Sequence, residues 1–245
     1  GTIWLDAKDY YVGALNAGSM TGLTIRGDRN TTIRPTLQTA SAPVFDMTGA
    51  SNWKLDGLEI FASGPHAVWP THAVLANGQD KMVIDSVRTP GKWLSAAIEL
   101  RGIASATLRD CQINQFDETA PALLISNLPS SNSSDVALYN CELHQGGSGG
   151  LHTIKIVQSD HILISGGICD NSVRSHILCE GNVRNVSLES VKFYSELGHP
   201  AQAVLECNVP NAAGFVRIIN PSRDGIGLIT MGDGFDMNFV RIETP

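Results

Sequence analysis

SATLRDCQINQ (residues 105–115) and DVALYNCELHQ (residues 135–145) can be written one above the other without a gap. In both, a turn-forming residue is followed at the third position by a leucine, then by a variable residue, a small or polar residue, and alternating apolar positions. GLTIRGD (22–28), NWKLDGLEIFA (52–62), DKMVIDSVRTP (80–90), DHILISGGICD (160–170) and NVSLESVKFYS (185–195) take the same frame. The aliphatic anchors are Ile25, Leu55, Ile84, Leu108, Leu138, Leu163 and Leu188, with weaker echoes near Val216 and at Phe239. They recur every 25 to 30 residues or so, a period that belongs to stacked repeat units.

A second apolar strand precedes each following anchor by about ten residues. These strands are VFDMTGA (44–50), AVLANGQ (73–79), AIELRGI (97–103), LLISNLP (123–129), TIKIVQS (153–159), ILCEGNV (177–183), VLECNVP (204–210) and LITMGDG (228–234). Both strands alternate apolar with polar residues, so one face of each points inward. The two-strand block is nearly constant in length and the segment that leads to the next block varies, which gathers insertions on one side. A single such coil cannot bury its apolar face or pair its backbone groups, whereas coils stacked about 4.8 Å apart do both. The sequence therefore specifies an all-β fold, one domain over 1–245: a parallel β-helix of about nine coils, right-handed by the general rule for parallel crossovers. A doubly wound α/β fold would need helical stripes in the connectors, but SGPHAVWPTHA, TPGKWLSA and HQGGSGGLH carry Gly and Pro instead.

Stacking places like on like. Asn52, Asp135, Asp160 and Asn185, with Ser105 in the same column and Asp80 one place off, mark a corner where short polar side chains bond local backbone. Cys111, Cys141, Gly166 and Val191 read as an inward ladder of small residues. Five cysteines without CxxC spacing point to buried thiols in preference to a disulfide framework or a metal site.

A formal charge of −7, with no run of Lys or Arg, argues against a surface that tracks phosphates, so nucleic acid is not an expected partner. No stretch approaches the roughly 18 apolar residues of a membrane span, and Gly1 to Asp6 is not a signal-peptide start. HQGGSGGLH lacks the Lys of a phosphate loop, and the sequons at Asn30, Asn132 and Asn185 coincide with turn positions.

The opening run GTIWLDAKDYYVGALNAGSMTGLTIRGDRNTTI resembles the first coils of the pectin-lyase-like superfamily, closest in style to its phage tailspike and virion members. The similarity of coil pattern continues through essentially the whole chain. It implies a right-handed β-helix and, for the phage members, a homotrimer with coils side by side about a three-fold axis. Relatives precede this segment with a capping helix. Here the open end is expected to be covered by residues before Gly1, by another subunit or by a larger assembly. Polygalacturonases carry Asn-x-Asp, Asp-Asp, Gly-His-Gly and Arg-x-Lys on successive coils, and none of the four occurs here. Gly198-His199 and Asp117-Glu118 are partial echoes. No stacked acidic trio suits calcium, so neither metal nor cofactor is expected.

The variable connectors should stack into one flank, which is where chemistry would sit. Asp117, Glu118, Asp170 and Glu196 are the candidate catalytic acids, with Glu99 and Glu206 as strand-borne alternatives. Trp69, Trp93, His144, His152, Arg174 and His176 are the candidate ligand-binding residues, since aromatic platforms with mixed charge suit a carbohydrate. The plainer alternative packs the tryptophans under their own loops and leaves the acids and histidines solvated. The expected function is a phage virion structural protein without catalysis, either a capsid cement or decoration subunit or a tailspike body. It would sit on the extracellular virion surface among capsid or tail proteins, in contact with surface polysaccharide. The alternative is a glycoside hydrolase or polysaccharide lyase acting through the flank carboxylates.

Overall fold

The computed structural model describes residues 1–28, 30–36, 41–62, 69–78, 81–117, 119–129, 132–146, 151–195, 203–208, 216–223, 227–231 and 240–243. The described residues form three parallel sheets of ten, nine and nine strands and contain no helix. Each coil contributes one strand to each sheet, in the order A, B, C. One coil, for example, runs Ala106–Arg109 in sheet A, Gln112–Gln115 in sheet B and Leu123–Ser126 in sheet C. The fold class is the one read from the repeats. The expectation of two strands per coil needs correction to three, because the aligned motif spans two strands and the tight corner between them.

That corner is two residues long, and its first residue is left-handed. Gly57, Ser86, Asp110, Asn140, Gly166, Ser190 and Asn220 all occupy the left-handed region, with φ between 47 and 67°. Asn, Asp and Gly tolerate this conformation best, which is why the motif's small or polar position cannot be a bulky residue. The corner keeps its backbone ladder: Ser86, Asp110 and Asn140 donate to the carbonyls of Arg109, Tyr139 and Ser165 on the next coil. The corner between sheets C and A uses the same device at Asn52, Asp135, His161 and Asn185.

His161 takes the corner position expected of Asp160, and the shift moves the anchor with it. Ile84, Leu108, Leu138, Ile164, Leu188, Ile218 and Ile242 are successive partners in sheet A. Leu163 instead pairs with Ala137 and Ser187 on the outer face and is half-buried. The echo near Val216 resolves to Ile218, two positions along the same strand, and Phe239 lies outside the described residues. The small-residue ladder shifts likewise. Cys141 is followed by Gly167, not Gly166, since Glu142 pairs with Ile168. A Cβ at Gly167 would overlap the Cys141 backbone, and its φ of 80° is itself costly for other residues. All five cysteines are buried free thiols.

Candidate functional site

The connectors from sheet B to sheet C leave one flank of the solenoid, and their first residues are held from inside. Gln115 and Gln145 stack in register with their side chains buried. Gln115 accepts from the Trp93 and Asp117 backbone N–H at 3.0 and 2.9 Å and donates to the Trp93 carbonyl at 2.9 Å. Gln145 donates to the carbonyls of Asp117 and Ala120 at 3.1 and 2.9 Å. These two amides replace the backbone ladder where the chain leaves the sheet, satisfying polar groups that burial would otherwise penalise.

Two of the candidate ligand-binding residues lie inside the coil and present no surface to a ligand. Trp93 is fully buried and donates its indole N–H to the Thr89 carbonyl at 3.3 Å. His176 is fully buried beside Phe193, with Ser172 Oγ 3.1 Å from its Nδ1, and burial pushes its pKa down to about 4. Trp93 lies in the connector between Arg88–Thr89 and Ile98–Arg101, and His176 is the second residue of the strand Ser175–Glu180; both side chains turn into the coil. Trp69 is half-buried and packs on the core. Glu118 and Glu196 lie outside the described residues.

Asp117 organises its own turn. Its Oδ1 accepts from Thr119 N at 2.9 Å and Thr119 Oγ1 at 2.7 Å, and Lys92 lies 3.2 Å from Oδ2. Burial, the largest influence, raises its pKa, but the Thr119 hydrogen bonds and Lys92 together bring it below the usual carboxylate range. Two other candidates are brought together: His144 Nδ1 lies 2.6 Å from Asp170 Oδ2 on adjacent strands of sheet B. The Asp170 hydrogen bond raises the His144 pKa despite burial. Glu142 is 3.7 Å from His144 Nε2, too long for a hydrogen bond.

The most developed polar arrangement lies on the outer face of sheet C, around Glu206. This carboxylate is 2% exposed, on the strand Ala203–Asn208. Arg174, at the end of the connector one coil earlier, meets it at 2.6 Å, and Asn208 Nδ2 donates to the same oxygen at 3.1 Å. Next to it, His152 Nδ1 is 2.8 Å from Ser175 Oγ, and burial lowers the His152 pKa, so the ring is neutral at pH 7. Lys155 pairs with Glu180 at 2.8 Å. His152, Lys155, Arg174, Glu180, Glu206 and Asn208, with Thr119 and Leu151, line a cavity of about 240 Å³. Arg174 and His152 are thus the two candidate ligand-binding residues gathered at one open site, and Glu206 is the acid they surround.

A second buried acid, Glu99, occupies the same outer column of sheet C. The register runs Glu99, Leu124, Lys155, Leu178, Glu206. Glu99 is 1% exposed, bound by His72 Nε2 at 2.8 Å, by Arg101 at 2.6 and 2.9 Å and by Ser126 Oγ at 3.2 Å. Burial raises its pKa, yet the His72 and Arg101 hydrogen bonds outweigh it and hold the group ionised. Four rungs of about 4.8 Å put the two acids roughly 19 Å apart, too far to act on one glycosidic bond. His72 was not among the candidates. Its signal would have been its place two residues before a strand that pairs with the one carrying Glu99. Among the described residues no group of three or more His, Cys, Asp or Glu could hold a metal ion.

Solved structures with this architecture include Geobacillus virus E2 ORF18, at 9% identity and TM-score 0.59 over 99% of this chain and 52% of that one. The pectin methylesterase of Yersinia enterocolitica matches at 14% and 0.54, over 100% of this chain and 85% of its own. PfbA, a surface adhesin of Streptococcus pneumoniae, matches at 8% and 0.50, over 100% and 83%. This chain spans about half the length of the viral chain. No family model and no curated protein matches the sequence. At these identities the likeness is one of fold: the chain is a right-handed parallel β-helix of the pectin-lyase-like fold.

Proposed function

We propose that this chain is the β-helical body of a virion surface protein, a capsid decoration or cement subunit or the shaft of a tailspike, which assembles as an extracellular homotrimer. The observation that carries this reading is that the described candidate acids are engaged in bracing contacts. Asp117 is tied to Lys92 and Thr119, Asp170 to His144, Glu206 to Arg174 and Glu99 to His72 and Arg101. Such pairs fix connectors to a rigid column, which suits a scaffold, whereas a glycosidase needs one acid held protonated and a second free to attack or to activate water. The fold likeness to the viral chain agrees with this reading. Sedimentation equilibrium of the purified chain should give three times the monomer mass. Incubation with a broad panel of bacterial capsular and lipopolysaccharide glycans should release no reducing ends.

One observation favours a second reading, a polysaccharide-active site on sheet C. Glu180 and Glu206 line the same cavity. The register partner of Glu180 is Asn208, so the two acids are diagonal neighbours on adjacent strands, roughly 7–8 Å apart at Cα. Two acids on one cavity wall are what hydrolysis by paired carboxylates requires. Release of reducing ends by the wild-type chain, abolished in Glu206→Gln, would establish the second reading and discard the first.

A further inference from the structure

The connector flank is not the only concave surface. A groove of about 560 Å³ runs along the corner between sheets A and B, on a different side of the solenoid, in the size range of ligand sites. It arises because the corner is only two residues long, opening on a left-handed residue. The chain turns there without a loop, so successive coils leave a continuous channel floored by Leu58 and Cys111. The corner's own backbone donors at Gly57, Ser86, Asp110 and Asn140 are spent on the next coil. Recognition must therefore come from side chains.

Those side chains have free hydrogen-bonding capacity. The amides of Asn30, Gln112 and Asn140 make no hydrogen bond to any other described residue, and they stand on different coils of the same channel. Asp110 and Glu142 add acceptors, and Arg88 adds donors while pairing with Glu59 at 3.1 Å. At one end Asn140 leans over Gly166, where an added Cβ would come within 2.5 Å of its Oδ1. The channel thus offers about one polar side chain per rung of roughly 4.8 Å, a spacing close to the length of one sugar ring. Two acids against one paired cation disfavour a polyanion, and amides with mixed donors and acceptors match hydroxyl groups.

We propose that this corner groove binds a linear, uncharged oligosaccharide laid parallel to the solenoid axis, independently of the connector flank. The test is titration of the isotopically labelled chain with maltohexaose and with cellohexaose, following side-chain amide resonances. One of the two sugars should shift the Gln112 and Asn140 amides saturably. Gln112→Trp, which fills the channel, should weaken binding at least about tenfold, while Thr107→Trp, on the outer face of sheet A, should leave it unchanged. If Gln112→Trp fails to fold, Gln112→Ala should still weaken binding severalfold. The proposal is overturned if neither sugar binds or if the Gln112 variants bind like wild type. It is equally overturned if binding is lost in Arg174→Ala, which would assign it to the flank.

Discussion

Leu138 and Leu163 look interchangeable as letters and differ in what replacing them costs. Leu138 is fully enclosed between Leu108 and Ile164, so Leu138→Ala should cost about 2–5 kcal/mol, read as a lower denaturant midpoint. Leu163 faces outward and half-buried, so Leu163→Ala should cost less than about 1 kcal/mol. His176 supplies a pH signature. Its folded pKa of about 4 is below the ordinary histidine value, so the native state binds fewer protons between the two. Its contribution is fully present above about pH 6.5 and is lost as pH falls toward 4, by about 3 kcal/mol in all. Denaturant unfolding across that window should show this slope, and His176→Leu should flatten it. His144 has the opposite sign. Its raised pKa means that stability from the Asp170 pair is present at low pH and disappears as pH rises through the folded value. An NMR titration should find His144 titrating above a free histidine, and lower in Asp170→Asn.

At the scale of strands and corners, the left-handed positions decide the coil path. Gly167→Ala should destabilise by several kcal/mol, because the new Cβ overlaps the Cys141 backbone at a φ of 80°. Gly78→Ala meets only the Leu128 side chain at 3.5 Å and should cost less, by thermal unfolding. The same scale shows what could be read in advance. Regular alternation in SATLRDCQINQ and DVALYNCELHQ leaves one inward assignment, so those coils were legible to the residue. In DHILISGGICD both Leu163 and Ile164 are aliphatic and two glycines follow, so a slip of one position leaves no trace in the letters. Only the left-handed turn at His161 fixes it. The third strand was hidden because a two-residue corner such as Asp110–Cys111 is indistinguishable from a polar and an apolar position in a longer strand. The candidate site was partly legible. His144 with Asp170 and Arg174 beside Glu206 follow once coils are stacked, whereas Trp93 and His176 turn inward through the path of the sheet B to sheet C connectors, which no spacing records.

For the molecule as a whole, ladders of Ile and Leu in sheet A and of Ile, Val and Leu in sheet C run through one uninterrupted core. Each coil touches its neighbours above and below, so stability accumulates along the stack and the charged groups on the outer faces are held on a rigid column. Function then depends on which face is presented: the connector flank with its Arg174–Glu206 cavity, the corner groove, or a surface covered by other copies. All three readings rest on the register of the stack. Methyl-labelled NMR tests it directly. Strong through-space contacts should link the side-chain methyls of Leu108 with Leu138, Leu138 with Ile164, and Ile164 with Leu188. Contacts that run instead from Leu138 through Leu163 to Leu188, with Ile164 exposed, would contradict the account.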